Sequence, residues 1–138
     1  MRDTIGNAKL INIFGRWPSF HDSEIWKLIC ERTESGVSVE ATIHVFEKTA
    51  EVDERGFYRL TKHTLVTLRF TGCVDVGLND FNGQNVLNSL SVSDSSDGLL
   101  SVNFDSSYGL DGEFKCRQIE VVDAQPWIPP HGVYAPRQ

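Results

Sequence analysis

Residues 37–45 read VSVEATIHV, with Val37, Val39, Ala41, Ile43 and Val45 at every second position and Ser38, Glu40, Thr42 and His44 between them. That period belongs to a strand with one face to a core, because successive side chains of a strand point to opposite sides of its sheet. The same beat returns in HTLVTLRF (63–70), where Val66, Leu68 and Phe70 oppose Leu65, Thr67 and Arg69. It returns again in LLSVNFD (99–105), where Leu100, Val102 and Phe104 oppose Leu99, Ser101 and Asn103. A strand over 24–33 is expected to turn at Ser35-Gly36 into one over 37–47, and Asp97-Gly98 and Asp111-Gly112 offer further turns with positive φ. In EFKCRQIEVVD (113–123) the apolar phase changes between Phe114/Cys116 and Ile119/Val121, which places a bulge near Arg117-Gln118.

Helix is scarce. Residues 3–13 suit one short N-terminal helix, stopped by Gly15 and by Trp17-Pro18, and FNGQNVL (81–87) suits a single helical turn. The charged stretch KTAEVDERG (48–56) reads as the exposed tip of a long hairpin. The expected fold is mostly β, an antiparallel curled sheet or sandwich of about six to seven strands with a short N-terminal helix. Residues 1–138 make one domain, and 125–138, QPWIPPHGVYAPRQ, form a proline-rich extended tail whose Trp127 is expected to dock on the sheet.

Composition allows this. A chain of 138 residues, 40% hydrophobic and 23% charged, buries roughly two thirds of its unfolded surface and needs no staples. No apolar run approaches the length of a membrane span, and the opening MRDTIGNAKLINIFG lacks a signal-peptide pattern, so a cytoplasmic location is expected. Cys30, Cys73 and Cys116 are odd in number, far apart and set in apolar segments. Buried free thiols are the expectation, with no cofactor and no metal.

Charge is distributed unevenly. Residues 1–69 hold ten Lys/Arg against ten Asp/Glu, whereas residues 70–138 hold three against nine. Between Arg69 and Lys115 there is no Lys, Arg or His, but there are Asp75, Asp80, Asp94, Asp97, Asp105, Asp111 and Glu113. Such a field repels nucleic-acid phosphates and attracts a basic partner. The plainer reading, that acidic loops keep a small domain soluble, stands beside it. DSSDG (94–98) lacks the order of a calcium loop and reads as a turn. The amides Asn79, Asn82, Asn85 and Asn88 suit turns and caps, and Asn82 and Asn85 are candidates for hydrogen bonding at an interface.

The remaining chemistry sits in FGRWPSFHDSEI (14–25), where His21 and Asp22 stand among aromatics. Trp17 precedes proline and is extended, and Ser19 to Asp22 has the spacing of a local cap, so Trp17, Phe20, His21 and Asp22 read as a buried structural corner entering a strand. The catalytic alternative makes His21 a base oriented by Asp22 or Glu24, as in a small hydrolase. Adjacent strand residues point apart, however, and no nucleophile elbow, active-site cysteine signature or phosphate loop accompanies them. A metal site would need His44, His63 or His131 to join, and no ligand spacing links them. A further alternative is a ligand-binding β domain with a pocket between sheet and tail.

In FGRWPSFHDSEI (14–25), IHVFE (43–47), HTLVTLRF (63–70), FNGQNVL (81–87) and GEFKCRQIEV (112–121) the chain resembles the immunity protein 50 family of bacterial polymorphic toxin systems. WPSFHD together with FN-x-QNVL carries the resemblance, and the matching stretches span nearly the whole chain in order. The family more often has a bulkier residue in place of Gly83. The resemblance implies a mostly β protein, made in the cytoplasm, that binds a cognate toxin and neutralises it, with no catalytic residue.

Overall fold

The computed structural model describes residues 4–130. In chain order its elements are β1 (Thr4–Ile5), α1 (Ala8–Phe14), β2 (Glu24–Thr33), β3 (Gly36–Val52), β4 (Tyr58–Asn79), β5 (Val86–Asp94), β6 (Leu100–Tyr108), β7 (Asp111–Cys116) and β8 (Gln118–Pro126). The eight strands form one sheet in the order β1-β8-β4-β3-β2-β5-β6-β7, with a further pairing of β4 with β7. Every pairing is antiparallel except β1 with β8. The fold is mostly β, as the period-two segments predict.

The extra pairing closes the sheet on itself. The 22-residue β4 pairs with β3 along one edge from Tyr58 to Cys73. Along its other edge it pairs first with β8 (Thr64 to Thr71) and then with β7 (Val74 to Asn79). β7 and β8 are one course of chain broken at Arg117, whose N–H donates to the Thr71 carbonyl at 2.9 Å. That break is the bulge expected from the phase change. The ring is completed where β5 meets β2 at Val86 and Glu24, with the Ile25 N–H donating to the Asn85 carbonyl at 2.8 Å.

Inside lie the residues of the alternating segments. Val39, Ala41, Ile43 and Val45 meet Val66, Leu68 and Phe70, and across the interior stand Val102, Phe104 and Phe114. Phe70, Phe104 and Phe114 form an aromatic trio with ring centroids 5.1 to 6.0 Å apart, which ties β4 to β6 and β7 across the core. Val37, at the strand end, is only partly buried.

Several local expectations are corrected. The helix begins at Ala8, because Gly6, at φ 76°, lies against the Val121 carbonyl where β1 joins β8. Its end is as expected, with Gly15 at φ 80° donating its N–H to the Ile11 carbonyl. Residues 81–85 form no helical turn. Gly112 is not in a turn but inside β7, and the turn before it is made at Gly109, at φ 82°. Cys73 and Cys116 are buried, and burial pushes their thiols up to about 12 and about 11. Cys30 is exposed, against expectation. The tail starts within β8 and its Trp127 docks on the sheet, whereas residues 131–138, including His131, lie outside the described part. Among the described residues no helix is long and apolar enough to cross a membrane.

Gly112 marks the closest approach of two strands. A β-carbon there would overlap the Gly77 carbonyl of β4, and φ is 145°. Gly98, at φ 84° in the β5–β6 turn, has nothing within 4 Å of such a carbon. Gly98→Ala is therefore expected to cost about 1 kcal/mol through backbone strain alone, and Gly112→Ala about 3 kcal/mol or more. Urea midpoints of the two variants check the difference.

Candidate functional site

Residues directly opposite each other on paired strands share a face. Since Val102, Phe104 and Phe114 point inward, the register sends Ser101, Asn103 and Asp105 of β6, and Asp111, Glu113 and Lys115 of β7, outward. Asn103 faces Glu113 on one side and Ser91 of β5 on the other. Ser89 faces Asp105, Ser93 faces Ser101, and Asn79 of β4 faces Asp111. The outer side of this layer thus carries mostly small polar and acidic side chains, with Lys115 and the exposed Val74 opposite each other at one end.

All six candidate aspartates are exposed. Asp105 and Asp111 stand on the outer surface itself, where Asp111 also accepts a hydrogen bond from the Ser106 N–H at 3.3 Å. Asp97, in the turn at one end, accepts from Lys115 at 2.9 Å, and hydrogen bonds from Lys115 and Ser95 hold its carboxyl down to about 2. Asp97 in turn raises the Lys115 ammonium, with a smaller contribution from Asp75. Asp75 and Asp80 adopt positive φ, 54° and 66°, at the irregular end of β4. Asp94 pairs with the inward-facing Leu100 and is set apart from the row. Glu113 joins the row, and its signal was the absence of bases through this region. The outward serines were signalled by the alternation of SLSVSD (89–94).

The two candidate amides part company. Asn82 is exposed, but Asn85 is buried and fully used as a clamp. Its Oδ1 accepts from the Asn82 and Leu110 N–H groups at 2.8 and 2.9 Å, and its Nδ2 donates to the Asn82 and Ile25 carbonyls at 2.9 and 3.4 Å. Asn85 holds the ring closed and offers nothing to a partner.

The corner at 17–22 is a tight turn in which the Ser23 N–H donates to the Phe20 carbonyl at 3.1 Å. Phe20 is buried with its ring edge-on to the half-buried Trp17, 5.8 Å between centroids. His21 is not buried, as its side chain is 58% exposed. Its Nδ1 lies 2.9 Å from the Asn88 carbonyl and its Nε2 3.6 Å from Asp22 Oδ2. Asp22 accepts from Lys48 at 2.9 Å. His21 lines a shallow cleft of about 200 Å3 with Phe14, Arg16, Ser19, Phe46 and Lys48. Neither ring nitrogen is directed at Ser19 Oγ, which instead accepts from the His21 N–H at 3.2 Å. Glu24 leaves the corner, enters β2 opposite His44 and is buried. The three residues of the catalytic alternative are not gathered into one constellation.

Alternation assigned His44 to the outer side of β3, and there it lies fully buried. Its ring stacks on His63, with Nε2 2.9 Å from His63 Nδ1, and Trp127 covers it edge-on at 5.4 Å while meeting Trp26 at 5.2 Å. The tail supplies a second layer that the strand pattern alone did not show. Among the described residues no three His, Cys, Asp or Glu side chains come together as a metal-holding group.

The family model described as Immunity protein 50 matches residues 6–127. No curated protein and no solved structure matches the chain.

Burial, and next the neighbouring His63, lower the His44 pKa from 6.5 to about 4, and burial lowers that of His63 too. The unfolded histidine takes its proton near 6.5 and the folded one only near 4, so the stability is full above the first value and lost as pH falls toward the second. Between pH 7.5 and 5 the wild type is expected to lose about 2 kcal/mol relative to His44→Phe. Urea titrations of both proteins at both pH values check this. For His21→Ala, exposure makes a loss below about 1 kcal/mol the expectation, read as a small shift of the same midpoint.

Proposed function

The chain belongs to the Immunity protein 50 family, and on that premise we propose that it binds and neutralises its cognate toxin through the outer face of β5, β6, β7 and the end of β4. The observation that carries this is the row Asp105, Asp111 and Glu113 in register on adjoining strands. Asp75 and Asp97 flank the row around Lys115, and Asp97 already engages that cation. A face rich in serines and carboxylates suits a basic protein surface in charge and raises the rate of encounter through its field. The same field disfavours nucleic acid as the partner. Binding takes place in the cytoplasm, with no membrane component, and neutralisation needs no chemistry. His21 and Asp22 belong to the corner that leads the chain into β2.

Asp80 and Asn82 border this face and belong to its rim. Asp94 is peripheral, and Asn85 drops out of the interface because its amide is consumed internally.

The test uses the toxin encoded beside this protein and measures binding kinetics at low and high salt. Asp105→Asn, Asp111→Asn and Glu113→Gln combined are expected to slow association about tenfold or more at low salt and to flatten its salt dependence, since screening at physiological salt limits such a field to roughly 8 Å. Dissociation should change less, and the fold should survive because exposed acids contribute little to stability. Association indifferent both to salt and to the three substitutions rejects this face as the toxin contact.

A further inference from the structure

The ring is closed over only part of β2. After the bridge of Glu24 with Val86, β5 continues past Ser23 and Asp22, the Leu87 N–H donating to the Ser23 carbonyl and the Asp22 N–H to the Leu87 carbonyl. It therefore does not follow β2 onward. From Lys27 to Thr33 β2 is paired with β3 alone, so among the described residues its other edge is an unpaired row of backbone donors and acceptors. Such an edge templates the addition of another strand unless something blocks it.

Another open edge of the barrel, at the end of β4, is blocked. Residues 74–79 of β4 pair with β7 only, but their register shifts between Val74 and Gly77 and Asp75 sits at φ 54°. Bulges and irregular backbone are the usual means of spoiling an edge. The register shift of β2 lies at Ile25/Lys27, before its open edge, and the edge beyond it carries no bulge. Its register against β3 is continuous from Lys27 to Thr33, and the stretch KLICERT contains neither glycine nor proline.

We propose that this edge pairs antiparallel with the same edge of a second copy of the chain, about a two-fold axis through Ile29. In that register Lys27 of each copy stands opposite Glu31 of the other, Leu28 opposite Cys30, and Ile29 opposite itself. Lys27, Ile29 and Glu31 share the outer face, since their β3 partners are Thr42, Glu40 and Ser38. All three are exposed, and among the described residues neither Lys27 nor Glu31 makes an ion pair. The pairing supplies two ion pairs and one apolar contact on that face. Moving the axis to Cys30 would set Glu31 against Ile29 and Lys27 against Thr33, losing both ion pairs. The pairing also accounts for Cys30, a residue on the inward side of β2 that the single chain leaves exposed. It uses no residue of the acidic face, so it stands or falls independently of the toxin-binding reading.

The experiment uses the full chain. Light scattering over roughly 10–500 µM, the span that reports micromolar affinities of small interfaces, is expected to show the mass rise from one chain to two. Lys27→Glu and Glu31→Lys each create two like-charge pairs and should weaken association about tenfold or more. The double variant Lys27→Glu/Glu31→Lys should restore it to within about threefold, with circular dichroism verifying the fold of each. Independently, Ile29→Cys in a Cys30→Ser background should oxidise to a covalent dimer, because only the Ile29-centred register brings that position against itself. A monomeric mass across the whole range, failure of the double variant to recover association, or absence of that crosslink overturns the proposal.

Discussion

The structure depends on β4 remaining one strand through two layers. Its inward residues Val66, Leu68 and Phe70 complete the interior begun by β3, and past Gly72, at φ 65°, the chain becomes the edge of the layer that carries β7, β6 and β5. Backbone hydrogen bonding leaves little choice here. Each N–H and C=O of a buried strand must find a partner, and over its buried middle, Thr64 to Thr71, β4 finds them in β3 on one side and β8 on the other, before β7 takes over the second side. The break at Arg117 lets that course change its inward phase without losing β4.

Closing the sheet gives the molecule two outer faces of different character. Over β2 and β3 the outer face is covered where Trp127 packs on Trp26 and His44. Over β5, β6 and β7 the outward residues are serines, asparagine, acids and Lys115. The amide of Asn85 and the corner at Phe20 close the ring between these regions, and that explains why the polar motifs of the sequence serve the fold. A backbone leaving one strand for another exposes donors and acceptors that only local side chains can reach.

The family membership and the geometry meet at this point. On the proposed reading the protein acts by occupying a surface, so its functional requirement is a preformed, rigid face rather than a cleft with convergent groups. Strand register provides such a face more rigidly than loops would, because each outward side chain is fixed by the hydrogen bonds of its own residue and its neighbours.

From its sequence alone, the protein's strand content, the inward residues, the break near Arg117 and the end of the helix at Gly15 were determined. Each follows from period-two alternation or from the backbone limits of glycine and proline, which act within a few residues. The acidity of the second half was legible too, as composition. The tertiary structure decided which acids share a face, separating Asp105, Asp111 and Glu113 from Asp94 through a register that no single strand contains. It also decided that His44 is buried and that His21 and Cys30 are exposed, because alternation names the side of a strand but not whether another segment covers it. Burial is a property of pairs of segments distant in the chain, and only closure of the sheet and docking of the tail bring those pairs together.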